Sequence, residues 1–184
     1  MEKIFTNPTD RATHIHEVGV RSLTVNRDHR GILVETLRAD WLDIFDKDGR
    51  PFAQTYYSIT APNVARDEDE WHVHQHQEDR FAVLSGDMVL GLHDPRLNSP
   101  TRGRINLFRM GQSLGDGGQI SVLIPKLVHH GFVVGPDYPA VLTNFPTRIY
   151  DPQDEGRVPF EQVGARMEDG SLFSWDRVRG SLGS

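Results

Sequence analysis

The sequence predicts an all-β domain, a sandwich, barrel or jelly roll, and three observations carry that expectation. Short runs rich in β-branched and aromatic residues recur along the chain. Turns containing Gly or Pro separate them, and no segment has the length and capping of a good amphipathic helix. The 184 residues suit one domain with a proper core and are too few to make two domains the expectation.

Taken in order, the apolar runs place strands at 31–37, 52–60, 71–76, 80–84, 88–93, 105–108, 120–124, 131–134 and 140–143. The turns between them are marked by Ser85-Gly86-Asp87, Asp94-Pro95, Ser99-Pro100, the glycines at 115–118 and Gly135-Pro136. The barrel core is expected at about 30–160 of a single domain spanning 1–184. The segment 161–184 is expected to be irregular or partly helical, because helical turns at 162–178 are weakened by Gly164 and Gly170. There is no internal repeat and no low-complexity stretch.

Hydrophobic residues make up 37% and charged residues 25%, as in an ordinary globular protein. The formal charge is −6 with no cluster of basic groups, which argues against nucleic acid or an anionic membrane as a partner. A small anionic ligand stays open, since a pocket can be locally basic. The absence of cysteine excludes disulfides, thiolate metal sites and cysteine nucleophiles. The N-terminus lacks an apolar signal core and no run approaches ~18 apolar residues, so a cytoplasmic protein is expected. The tail Gly180-Ser-Leu-Gly-Ser184 carries no weight in this reading.

The densest chemistry is Trp71-His-Val-His-Gln-His-Gln-Glu-Asp-Arg80. Strand side chains alternate faces, so His72, His74 and His76 are expected to point the same way. Alone, the cluster does not exclude a solvated polar strand face. The pattern His72-x-His74, then Asp79, then Gly86 resembles the first cupin motif, with Asp where Glu is usual. Pro125-Lys-Leu-Val-His-His130 resembles the second, with Leu127 in place of its usual Gly. The resemblance implies a cupin-type double-stranded β-helix, a jelly-roll barrel, with His74 and His130 facing one interior cavity.

Further segments are similar to one branch of that superfamily, the dTDP-4-dehydrorhamnose 3,5-epimerases. They are Arg30-Gly31 with Glu35, Phe52-Ala-Gln54-Thr-Tyr56-Tyr-Ser58 (Tyr56 where that family has Asn), Arg96-Leu-Asn-Ser99-Pro100-Thr101-Arg-Gly103, Ile124-Pro125 through His130-Gly131-Phe132, and Tyr150-Asp-Pro152-Gln-Asp-Glu155. They run in family order from about residue 30 to 155. The resemblance implies a homodimer acting on a nucleotide-linked 4-keto-6-deoxy sugar, without metal or redox cofactor. It assigns Arg30, Glu35 and Gln54 to the nucleotide, with Tyr150 and Glu155 nearby, and a guanidinium suits a pyrophosphate. The reaction takes a proton from carbon beside a ketone and returns one on the other face, which suits a base titrating near neutrality. That base aligns with His74. Its carboxylate partner aligns with Asp176, which would fix the imidazole tautomer, and His130 would line the pocket.

Three departures stand out. An arginine before the catalytic histidine is Trp71 here. A lysine that steadies the enolate falls on Asp79, or on Arg80 after a one-residue slip. A general-acid tyrosine falls on Asn144, which implies proton exchange at one carbon rather than two. Two other classes stay open. One is a metalloenzyme holding Fe, Mn, Ni or Zn through His72, His74, His130 and Asp79 (or His76). The other is a carbohydrate-binding cupin without catalysis. Gly111-Gln-Ser113-Leu-Gly115 fits a nucleophile-elbow pattern, but it leads into a glycine-rich loop and reads as coincidence.

Overall fold

The computed structural model describes residues 4–182. Their strands are β1 (Gly19–Ser22), β2 (Val25–Asp28), β3 (Gly31–Val34), β4 (Tyr56–Thr60), β5 (Glu70–Val73), β6 (Asp79–Ser85), β7 (Asp87–His93), β8 (Ile105–Gly111), β9 (Ile120–Ile124), β10 (His129–Val134), β11 (Ala140–Asn144) and β12 (Gly156–Pro159). Two short helices follow, α1 (Phe160–Val163) and α2 (Trp175–Leu182). Residues 180–182 of the tail finish α2, and 183–184 lie outside the described residues.

Two antiparallel five-stranded sheets form the jelly roll. The first runs β1-β9-β6-β11-β4 and the second β12-β5-β10-β7-β8. Side-chain alternation sends Phe81, Val83, Val122, Ile124 and Leu142 of the first sheet inward against Leu90, Leu92, Phe108 and Phe132 of the second. The other face of the second sheet is also covered. Trp71, Val89, Leu107 and Val133 pack there against Phe173, Trp175 and Val178 of the C-terminal segment. Trp175 lies over β7 and β10, where a Cβ at Gly91 or Gly131 would sit 2.9 or 3.1 Å from its ring. Close approach of the indole is what requires glycine at those two positions.

The structure departs from the sequence expectation in several places, among them the strand expected at 52–60, which begins only at Tyr56. The apolar run at 31–37 supplies β3, which pairs only with β2 in a separate two-stranded sheet instead of joining the barrel. β1 pairs with β9 as an edge of the first sheet, ahead of residue 30 where the barrel core was expected to begin. β12, with Pro159 at its end, is an edge strand, the place where a missing N–H is tolerated. The strand expected at 71–76 ends at Val73, so alternation carries His72 and His74 inward while His76 turns out to solvent in the bend that follows. Ser113 is exposed in a 3₁₀ turn after β8, as the coincidence reading of that motif requires.

Candidate active site

The site is assembled from both sheets at one end of the barrel. β5 and β10 pair His72 directly with His130 on the inward face of the second sheet. β6 and β11 place Asp79 and Asn144 on the inward face of the first. His74 follows β5 and remains buried at 5% exposure, because the bend after it is pinned by one carboxylate. Asp154 accepts from the backbone N–H groups of Gln75, His76 and Gln77 at 2.8, 3.0 and 2.9 Å.

The same residue orients the imidazole. His74 Nδ1 lies 3.0 Å from the Asp154 carbonyl oxygen, which can only accept, so Nδ1 carries a proton and Nε2 is left for proton transfer. Nε2 lies 3.2 Å from the Gln77 amide nitrogen and 3.4 Å from Asp79 Oδ2. Gln77 serves the neutral ring by donating to it, and Asp79 serves the cation. Burial alone would lower the His74 pKa, but the Asp79 carboxylate and the Asp154 carbonyl outweigh it and raise it above 6.5. Burial works on Asp79 in the opposite sense, and His74, His130 and Asn144 overcome it, holding the carboxyl down at about 2.

The other two histidines are kept neutral. Burial pushes His130 down to about 4. Its Nδ1 donates to the Val128 carbonyl at 3.2 Å, which leaves the Nε2 lone pair facing inward with no hydrogen-bond partner on a ring only 3% exposed. Such an acceptor suits a sugar hydroxyl. Burial, with His130 and His74 beside it, takes His72 to about 2, and its Nε2 donates to Glu155 at 2.8 Å.

On the opposite wall, the Asp79 Oδ1 atom accepts from Gln77 at 2.9 Å and from Asn144 Nδ2 at 2.7 Å. Asn144 Nδ2 also donates to the Tyr56 hydroxyl at 2.9 Å. Backbone pairing of Asn144 with Tyr56 across β11 and β4 brings that hydroxyl in.

Of the residues expected from sequence, His74, His130, Asn144, Glu155, His72 and Asp79 come together here. Asp176 does not. It lies on α2 with its side chain 90% exposed and paired with Arg179 at 2.8 Å, so the acidic residues around His74 are Asp79, by its carboxylate, and Asp154, by its main-chain carbonyl with its carboxylate 3.9 Å from Nδ1. Arg80 is a second correction. No slip occurs in β6, so Asp79 faces the site and Arg80 faces away, fully buried, its guanidinium donating to the carbonyls of Ile44, Arg50 and Phe145. Arg30 sits at the tip of the β2–β3 hairpin against Asp28, Glu35 pairs with Arg38, Gln54 lies in the segment before β4, and Tyr150 is exposed. Among the described residues no hydrogen bond or ion pair joins these four to the histidines. Asp154, Gln77 and the pairing of Tyr56 with Asn144 were missed. Asp154 occupies an unassigned position of the 150–155 motif, and its signal was its place one residue before Glu155.

One nitrogen from each of His72, His74 and His130 lies within 4.8 Å of the others. Ligands of a tetrahedral ion with bonds of 2.0–2.1 Å stand roughly 3.4 Å apart. Three imidazoles and a carboxylate are the right donors for such an ion, and binding it would draw the rings together. A cleft of about 360 Å³ beside Phe5, Asn7 and Arg104 contains none of these groups.

The family model for dTDP-4-dehydrorhamnose 3,5-epimerase matches residues 12–168. The Haloferax volcanii protein named "Probable low-salt glycan biosynthesis epimerase Agl13" is 40% identical over 151 residues, covering 80% of this chain and 90% of the relative. A dTDP sugar isomerase from Desulfovibrio desulfuricans G20 superposes with a TM-score of 0.72 at 24% identity, over 88% of this chain and 92% of that one. The epimerase RmlC from Legionella pneumophila Philadelphia 1, solved in complex with dTDP-4-keto-L-rhamnose, superposes with a TM-score of 0.70 at 22% identity, over 92% and 94%. These last two establish a shared fold.

Proposed function

This chain belongs to the dTDP-4-dehydrorhamnose 3,5-epimerase family, and from that premise we propose that His74 is the base with which it epimerises a nucleotide-linked 4-keto-6-deoxy sugar. The protein is a sugar-nucleotide epimerase of glycan or surface-polysaccharide biosynthesis. The observation that carries the assignment of the base is the holding of His74. Its Nδ1–H is fixed on the Asp154 carbonyl, and its Nε2 turns toward the space between the sheets with a carboxylate ready to stabilise the imidazolium. The C–H electron pair moves to the ketone oxygen as the proton passes to Nε2. The neutral His130 accepts from a sugar hydroxyl, and Glu155 with His72 forms the rim.

Arg30, Glu35, Gln54 and Tyr150 are assigned to the nucleotide, with the Arg30 guanidinium on the pyrophosphate. A homodimer accompanies this reading. The β2–β3 hairpin presents Ile32 and Leu33 to solvent at 44% and 62% exposure, and β4 presents Tyr57 and Ile59 on its outer face at 68% and 62%. A second copy covering these side chains would bury the apolar surface, and light scattering giving a monomer at micromolar concentration would contradict it. Among the described residues no helix is long and apolar enough to cross a membrane. A cytoplasmic location goes with a soluble nucleotide-sugar substrate.

The test uses dTDP-4-keto-6-deoxyglucose in heavy water, followed by nuclear magnetic resonance. The reading requires deuterium to enter beside the ketone and configuration to invert, with no metal or redox cofactor added. A second reading is supported by the spacing of His72, His74 and His130, which with Asp79 would hold a divalent ion. Loss of exchange on chelation, restored by one metal, would favour it.

A further inference from the structure

Epimerisation needs a proton delivered to the face of the carbon opposite the one that lost it, and the hydrogen bonds around Tyr56 single out a donor. Asn144 Oδ1 accepts from the Arg80 backbone N–H at 3.0 Å, and Asp79 can only accept, so the Asn144 amide orientation is fixed with its NH₂ toward the site. That NH₂ donates to the Tyr56 oxygen. The phenol oxygen is therefore the acceptor in this bond, and its own hydrogen is left for another partner.

The placement matches the need. His74 adjoins the second sheet and Tyr56 belongs to β4 of the first, so the two groups stand on opposite walls. On β4, Tyr56, Ser58 and Thr60 face inward and Tyr57 and Ile59 outward, since Asn144 and Leu142, their inward partners on β11, pair with Tyr56 and Ser58. Tyr56 is half exposed, which puts it at the mouth where a substrate enters.

We propose, building on the epimerase reading above, that Tyr56 is the catalytic acid that protonates the enolate on the face opposite His74. His74 Nε2 takes the proton and the electron pair moves to the ketone oxygen. The enolate then collapses, its carbon forms a bond to the Tyr56 proton, and the phenol O–H pair stays on oxygen as phenolate. The Asn144 N–H already pointing at that oxygen stabilises the phenolate. Water reprotonates the phenolate and relieves the imidazolium, so no proton is gained or lost overall. Burial and the nearby Asp79 push the Tyr56 pKa up to about 12, which keeps the phenol protonated across the working range. The expectation of exchange at a single carbon rested on Asn144 replacing a phenol, and Tyr56 on the adjacent strand supplies one.

The test is Tyr56→Phe against Tyr138→Phe, an exposed tyrosine to which neither the site nor the proposed dimer face lays claim, both checked by thermal melt and dTDP titration. Exchange and inversion are measured separately on dTDP-4-keto-6-deoxyglucose in heavy water. Without the acid, His74 still removes a proton and returns solvent deuterium to the same face. Tyr56→Phe should therefore keep exchange within ~3-fold while inversion falls ~10²-fold or more, and Tyr138→Phe should alter neither. Inversion at the wild-type rate in Tyr56→Phe, or equal loss of exchange and inversion, would overturn the assignment and leave His74 as base untouched. Wild-type protein that neither exchanges nor inverts would instead remove the epimerase reading, and this inference with it.

Discussion

Replacing Asp79 by Asn keeps the shape of a side chain that is 2% exposed and removes the charge lying 3.4 Å from both His74 Nε2 and His130 Nε2. An opposite charge at this range typically moves a pKa by ~1–3 units. In the native site that charge does most to lift His74 above 6.5 against burial, so in Asp79→Asn the His74 pKa falls. Because the base must be unprotonated, the acid limb of the exchange rate lies above pH 6.5 in the native protein and moves down by ~1–3 units in the variant. With a Brønsted coefficient of about one half, the plateau rate drops by roughly 3–30-fold, since the imidazole is a weaker base. Stability changes in a defined window. Asp79 is depressed from 3.8 to about 2, so its contribution, about 2 kcal/mol, is present above pH 3.8 and lost as pH falls through about 2. His74, raised on folding, contributes fully below pH 6.5 and loses that contribution as pH rises through its folded pKa. Exchange rates measured from pH 4 to 9 and urea midpoints measured from pH 2 to 9 read both effects. An acid limb that stays in place, or moves up, would refute the coupling of Asp79 to His74.

Two further substitutions follow from the geometry. Leu127 holds φ at 64° while its N–H donates to the His74 carbonyl at 2.8 Å, and its side chain is half exposed. Leu127→Gly relieves ~1–2 kcal/mol of left-handed strain against ~0.5–1 of added chain entropy, so the melting temperature should rise by up to ~6 °C with exchange unchanged. A lower melting temperature would show that the strain is absent. Asp176→Ala should leave the exchange rate within ~2-fold, because that carboxylate touches only Arg179 at the surface; a loss of ~10-fold or more would reinstate it as the partner of His74.

Periodicity and turn chemistry made much of the barrel legible, because strands buried on both faces, such as β7, β9 and β10, read as continuous apolar runs between Gly and Pro turns. β2 and β12 were not legible. Val25-Asn-Arg-Asp28 and Gly156-Arg-Val-Pro159 are short and mostly polar, and they become strands only through pairing with a neighbour. In the site, period-two alternation placed His72 and His74 inward but failed at His76, where Asp154 bends the chain. The alignment of Asp176 with the partner of His74 finds no support in the structure, where Asp154, eighty residues away, meets His74 Nδ1 through its main-chain carbonyl, and a backbone contact leaves no side-chain pattern to read. The pairing of Tyr56 with Asn144 was invisible for a related reason, since cross-strand register is a property of the sheet and not of either segment.

The central claim is that His74 is the base, and one measurement tests it most directly. His74→Asn and the wild type are incubated with dTDP-4-keto-6-deoxyglucose in heavy water, and deuterium beside the ketone is followed at both carbons by nuclear magnetic resonance. Binding of dTDP is measured in parallel. The account predicts rapid exchange in the wild type, a loss of at least ~10²-fold in the variant, and nucleotide affinity within ~3-fold. Exchange in His74→Asn at the wild-type rate would contradict it.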